Sequence, residues 1–475
     1  MASSANNNTS AIKIHEKCLV PPPNSSPQLS LPLTFFDLMW LRFHPVERIF
    51  FYSLPTPHST LDSLLHQVLP TLKNSLSLTL QHFLPLAGTI VWPSDSNKPL
   101  IQYNVGDGVS LTVAESTEDL NHFLVNSPVE ALDSRSLVPH LESSDSHASI
   151  GISSHHAVLD GKSSIMFVKA WAYLCREGQL SNEESPRLAP ELVPIFDKEA
   201  IKDPNGRGIM FINNWKQISS QLDPNNNDSS KGRTLKIMSA AFPPLVDDRV
   251  RSTFELTRGD LEKIRNRVLS NWDTTVDDSS TKQQPKLSTF LLTCAYVSVC
   301  IVKATDEESK ERGNNNENKF MFGFTVDCRA KLDPPVHENY FGNCVAGHIV
   351  DAIKAEDFRE ENALVIVAKN IYNKIRSVGT MEGALDGIET MFFRAAMMVI
   401  EGKKALGVAG SARFGVYGID FGWGKPEKVE ITSVDRGITI GMAESKDGSG
   451  GIQVGLVLNK HVMHLFNELF HAGLY

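Results

Sequence analysis

Cysteine is scarce in this chain: six in 475 residues, at Cys18, Cys175, Cys294, Cys300, Cys328 and Cys344, with no Cys-x-x-Cys pair. That excludes a disulfide-stapled scaffold and a paired-thiolate zinc or redox motif, and predicts reduced thiols in a cytoplasmic protein. Positive charge is also short, with 46 Lys and Arg against 55 Asp and Glu and a net charge of -9. No basic footprint for nucleic acid is present, although a local basic pocket can still serve an anionic ligand. No apolar run reaches the ~20 residues of a membrane span. The longest, Phe290 to Val302, contains Thr293 and Ser298 and reads as a buried helix, so no membrane association is expected. The Ser/Asn-rich start, Met1 to Ser10, has no basic region followed by an apolar stretch, so no secretory signal is expected. A Gly-x-Ser-x-Gly elbow is missing, which argues against a serine hydrolase. Gly161-Lys162-Ser163 echoes a phosphate-binding loop, but its upstream glycine position is His156.

What is present fits a globular protein: 41% hydrophobic and 21% charged residues, at a length that favours two domains. Three polar stretches read as loops: the first ten residues, Asp223 to Lys231, and Thr305 to Asn318. The second lies in a weakly periodic, Pro-containing region that begins near Pro186. Residues 196–233 are therefore expected to form a crossover linker between a first domain, 1–195, and a second, 234–475. Helical periodicity marks Leu61 to Phe83 (broken near Pro70), Ser163 to Cys175, Ser288 to Lys303 and His461 to His471. On the second of these, Ile165, Val168, Trp171, Ala172 and Cys175 should face inward. Strand patterns mark Ile101 to Val105, Leu111 to Val113, His147 to Ile152, Phe320 to Asp327, Gly437 to Ala443 and Gly451 to Leu458. Strands and helices alternating in both halves predict a layered α/β fold.

The segment Ser153-Ser154-His155-His156-Ala157-Val158-Leu159-Asp160-Gly161-Lys162-Ser163-Ser164 is the most informative. A strand runs into two histidines, Asp160-Gly161 makes a turn, and Ser163 or Ser164 is placed to cap the following helix. A neutral histidine at such a junction can take a proton from an alcohol near neutral pH. Taken alone, the same pattern also describes one buried ring, one surface ring and an ordinary turn. Zinc would need a third ligand, and none stands at helical spacing, so no metal is expected. Two further segments, Asp420-Phe421-Gly422-Trp423-Gly424 and Tyr340-Phe341-Gly342-Asn343-Cys344, read alone as a tight loop and a loop with aromatic packing.

Together these segments resemble the plant BAHD acyltransferase family. Its two signatures, His-x-x-x-Asp-Gly and Asp-Phe-Gly-Trp-Gly, match His156 to Gly161 and Asp420 to Gly424 in full. Leu33 to Asp37, Phe83 to Gly88 and Met442 to Ser445 are similar to its flanking segments. Tyr340 to Cys344 is similar to the third motif of the branch that acylates anthocyanin and other flavonoid or phenolic glucosides. The resemblance implies two similar chloramphenicol-acetyltransferase-like α/β domains joined by a crossover loop, with an active-site channel between them. It implies a monomer that transfers malonyl from malonyl-CoA, a substrate rather than a resident cofactor, to a sugar hydroxyl. His156 would be the general base. Asp160 would support the loop by pairing with an arginine, for which Arg329 is the candidate, and Asp420 would support the channel.

Ser288 and Thr289 match a CoA-contacting region of the family, and simple helix capping explains them equally well. A malonyl carboxylate asks for a cation or several donors, and Lys162, Arg413 and Arg42 all stay open. Three alternatives remain: an aromatic donor such as coumaroyl- or caffeoyl-CoA, a peptide-synthetase condensation domain, and an inactive member that only binds a glycoside or a protein. The complete second signature and the stand-alone length argue against the condensation domain.

Overall fold

The computed structural model describes residues 12–55, 58, 60–116, 119–137, 147–180, 187–222, 233–238, 248–272, 284–311, 320–350, 353, 356–401 and 404–474. The polar segments 1–10, 223–231 and 312–318 fall outside them.

Two sheets frame the site. The larger has seven strands in the order Val345–Val350, Phe320–Asp327, Lys404–Gly410, Ile438–Glu444, Ile452–Asn459, Arg249–Leu256 and Val129–Glu130. Phe320–Asp327, Lys404–Gly410 and Ile438–Glu444 run parallel, and the other pairings are antiparallel. The smaller sheet is antiparallel, in the order Lys428–Ile431, Val46–Ser53 and His147–Ser154. Each sheet borrows an edge strand from the other half of the chain. Val129–Glu130 joins the second-half sheet, and Lys428–Ile431 joins the first-half sheet. Division of the sequence at a linker therefore does not separate the two folding units cleanly. Pairing an edge strand satisfies backbone groups that would otherwise lie open.

Residues 49–52 of the strand Val46–Ser53 form a continuous apolar run, and both faces of the strand are covered there. Phe50 and Tyr52 enter one core, while Ile49 and Phe51 pack with Phe123 and Leu137. The first core also takes in Cys328, Tyr340, Phe341, Cys344 and Phe421 from the second half. The second core is built only from residues beyond the linker, including Leu256, Leu292, Ile371 and Phe466.

Most expected elements are present with shifted ends. Leu61 to Phe83 is a helix interrupted by a wide π turn, Leu64–Val68, just ahead of Pro70, whose missing N–H prevents a regular i to i−4 bond there. The helix expected over Ser163 to Cys175 spans Gly161–Leu180, and all five of its inward-facing residues are buried. The helix read as ending at Lys303 continues through Thr289–Glu311, so the start of the third polar stretch is helical, not loop. Thr305, Asp306 and Glu308 are buried there, and Thr305 Oγ1 donates to the Ile301 carbonyl at 2.8 Å. By length and composition this is the one helix among the described residues able to cross a membrane, but 83% of its apolar window is buried inside the protein.

The expected linker is more than a loop. It contains the helix Arg207–Leu222, whose Phe211, Ile212, Trp215 and Ile218 form one buried face. Ile209 and Met210 are apolar but exposed, off that face, which blurs its periodicity in the sequence.

Candidate active site

His156 lies just beyond the edge strand His147–Ser154 and ahead of the helix Gly161–Leu180. The turn between them is fixed by Asp160 rather than by Ser163 or Ser164. Asp160 Oδ1 accepts from the Ser163 backbone N–H at 2.9 Å, an N-cap bond on the helix. Its Oδ2 receives Arg329 Nη2 at 2.8 Å and the Cys344 N–H at 3.1 Å. Both ion-pair side chains are almost fully buried, at 2% and 3% exposure. Arg329 also donates to the carbonyls of Tyr340 and Gly342 and to Asp327. Burial opposes its charge, but Asp160 and Asp327 hold its pKa above the ordinary arginine value. Ser163 Oγ is used elsewhere, donating to the Gly342 carbonyl at 3.0 Å and accepting from its N–H at 3.1 Å. Gly342 has φ 142°. A Cβ there would come within 2.5 Å of Lys198 Nζ, so both backbone and space require glycine.

Asp37 is the second buried carboxylate at the site. Its Oδ2 accepts from Thr34 N–H at 2.9 Å, Thr34 Oγ1 at 2.8 Å and Lys198 Nζ at 2.9 Å. Its Oδ1 accepts from Asn343 N–H and Nδ2, both at 3.1 Å. Asn343 Nδ2 in turn donates to the His156 carbonyl at 2.8 Å. Sequence reasoning missed this network. The Thr34-x-x-Asp37 capping box was a readable signal for the short helix Phe35–Met39. Nothing in the sequence marked Lys198, which sits at the start of the linker. It is brought in because the linker pairs with the motif loop, Ile195 N–H to the Asn339 carbonyl at 3.0 Å and Phe341 N–H to the Ile195 carbonyl at 2.8 Å.

The His156 ring lies against aromatic surface. Trp40 stacks on it with centroids 4.1 Å apart and planes at 8°, and Phe43 meets it edge-on at 6.1 Å. Nδ1 is buried and has no hydrogen-bond partner. Burial pushes the pKa of His156 down to about 3; its own backbone pulls the other way, His44 and His155 lower it further, and Asn343 raises it slightly. The residue as a whole stays only half-buried. The imidazole is therefore neutral across the ordinary pH range, with Nδ1 enclosed and the residue partly open to solvent.

Asp420 does not touch this network. Its Oδ1 accepts the N–H groups of Gly422 and Gly424 at 2.8 and 2.9 Å, closing a loop whose two glycines have φ 104° and 106°. Phe421 and Trp423 pack with Tyr52, and Phe421 also meets Trp171 on the site helix at 5.1 Å. Asp420 shapes a wall beside that helix. Ser288 Oγ accepts from the Leu291 N–H at 3.2 Å and so caps the helix that Thr289 opens. Among the described residues no hydrogen bond joins either to the His156 network. Of the three cations considered for a carboxylate, Arg42 donates to the Lys236 carbonyl at 2.9 Å and to Ser219 Oγ. Lys162 is half-buried in the first turn of the site helix, and Arg413 is exposed. Among the described residues no group of three His, Cys, Asp or Glu could hold a metal.

The histidine thus sits at the end of an edge strand, in a turn locked by a buried Asp–Arg pair. The model of the Transferase family matches residues 10–472, and the chain belongs to that family, the BAHD acyltransferases. It is 37% identical to phenolic glucoside malonyltransferase 1 of Arabidopsis thaliana over 98% of each chain. It is 39% identical to malonyl-CoA:anthocyanidin 5-O-glucoside-6''-O-malonyltransferase of the same plant, over 98% of this chain and 99% of that one. Vinorine synthase has a similar fold at a TM-score of 0.61 and 19% identity, covering 96% of both chains. TRI101 of F. sporotrichioides, solved with coenzyme A and T-2, follows at a TM-score of 0.56 and 13% identity, covering 93% of this chain and 97% of that one.

Proposed function

We propose that this chain transfers the malonyl group of malonyl-CoA to a sugar hydroxyl of a flavonoid or phenolic glucoside, with His156 as general base. The observation that carries this reading is the full-length similarity to proteins named as malonyltransferases of phenolic and anthocyanin glucosides, in a chain whose histidine is neutral and partly open to solvent. His156 takes the proton of the sugar hydroxyl while that oxygen attacks the thioester carbonyl. The tetrahedral oxyanion collapses, the C–S bond breaks, and the CoA thiolate recovers the proton from His156. No acyl-enzyme forms. Asp160 and Asp420 act on the loops around the base, not on substrate. The enzyme works as a monomer in the cytoplasm; six unpaired cysteines suit a reducing compartment.

The test is CoA thiol release from malonyl-CoA with and without a panel of glucosides. Glucoside-dependent release with a malonyl-sized mass gain on the product supports the reading. Turnover only with an aromatic CoA ester would keep the mechanism and overturn the donor. Binding of glucoside with no thiol release from any donor would overturn the enzyme reading altogether.

A further inference from the structure

A histidine base needs its ring held at the right angle, and an acid bonded to the second ring nitrogen is one common way to do this. Here no acid does so. Asp160 faces Arg329, and Nδ1 of His156 has no partner. The titratable groups that act on its charge are His44 and His155, and an imidazole supplies no negative charge to a protonated His156. The group in full contact with the ring is the Trp40 indole, parallel to it at 4.1 Å. Trp40 Nε1 is buried without a partner, so the indole is placed by its faces and not by its polar tip. Phe43 buttresses it edge-on at 4.8 Å.

Trp40 is also tied to the backbone of the base. It ends the helix Phe35–Met39, and its N–H donates to the carbonyls of Asp37 and Leu38. Asp37 thus fixes the helix that carries Trp40 and, through Asn343, the carbonyl of His156. One buried carboxylate sets the distance between the ring and the surface it lies on.

We propose that Trp40 is a positioning residue for His156, holding the imidazole in its reactive rotamer and stabilising the imidazolium as it forms, with Asp37 as the tie between them. The inference rests on His156 being the base. Rotation of the imidazole out of plane would forfeit the stack. As the ring gains its proton, the indole face attracts it more strongly, so the interaction grows toward the transition state. Trp40 touches no reacting atom.

The experiment compares Trp40→Leu with Trp40→Phe in the full chain. Steady-state kinetics use malonyl-CoA and a glucoside, and carbethoxylation of His156 is followed by peptide mass spectrometry without substrates. Trp40→Leu should lower kcat about 10²-fold, the cost of a misplaced catalytic group, with both KM values unchanged. Trp40→Phe should restore most of the rate. His156 should be carbethoxylated faster in Trp40→Leu and at the wild-type rate in Trp40→Phe. A raised glucoside KM with kcat intact would make the indole an acceptor platform and overturn the proposal. Equal behaviour of the two variants would also overturn it. If Trp40→Leu does not fold, Trp40→Met takes its place. If the wild type turns over no glucoside, the functional reading fails, and the carbethoxylation rates alone decide whether Trp40 holds the ring.

Discussion

The two signature loops each centre on an aspartate, and they use it in opposite ways. Asp160 is buried and bonded to groups 169 and 184 residues away, Arg329 and the Cys344 N–H. Asp420 is partly exposed and bonded to groups two and four residues on, the N–H groups of Gly422 and Gly424. The first aspartate joins the halves of the molecule, and the second closes its own loop. A motif's prominence in sequence therefore says little about the reach of its residues. A buried carboxylate facing a buried guanidinium is costly to break from one side, because the remaining charge has no water. A carboxylate that caps two glycines near the surface can hand them to solvent.

The largest effect expected is at His156, the proposed base. His156→Ala should reduce glucoside-dependent CoA release by about 10²–10⁴-fold, with little change in melting temperature. Next, Asp160→Ala should cost about 3–5 kcal/mol of stability, seen in denaturant titration, because Arg329 stays buried without its partner. Acid should act on both halves of the molecule. Burial pushes His156 down to about 3, and burial with Lys374 nearby pushes His348 down to about 4. Both bind protons more readily when unfolded, so stability should fall as pH drops from about 6.5 toward 4. A flat melting temperature across that range would contradict both shifts.

Asp420→Ala should cost less, about 1–3 kcal/mol for the lost charge-assisted hydrogen bonds. A loss as large as that of Asp160→Ala would erase the contrast between the loops. The smallest effect is expected at Ser288→Ala, about 1 kcal/mol for a lost helix cap, with KM for malonyl-CoA unchanged. A raised KM there would instead place Ser288 at the donor.

Several features were legible early because they depend on neighbours in sequence. The helix after Gly161 and the strand Phe320–Asp327 follow from local periodicity. The strand-to-turn junction marked the two histidines, and the choice of His156 between them came from the family resemblance. The pairing of Asp160 with Arg329 came from family resemblance, and the structure places the two at 2.8 Å. The helix Arg207–Leu222 was faint because its buried face is narrow. The exchange of Val129–Glu130 and Lys428–Ile431 between sheets was invisible, since segments of two and four residues carry no period.

By itself, then, the sequence determined the α/β class and the family and marked His156 as the proposed base, all through short contiguous patterns. Only the tertiary structure decided what surrounds that base. Asp37, Lys198 and Asn343 lie far apart in the chain and meet because one buried carboxylate needs donors on both oxygens. Trp40 lies on His156 because the helix that carries it is fixed by that same carboxylate. Such contacts are set by desolvation and shape at a shared interior, which no local pattern encodes.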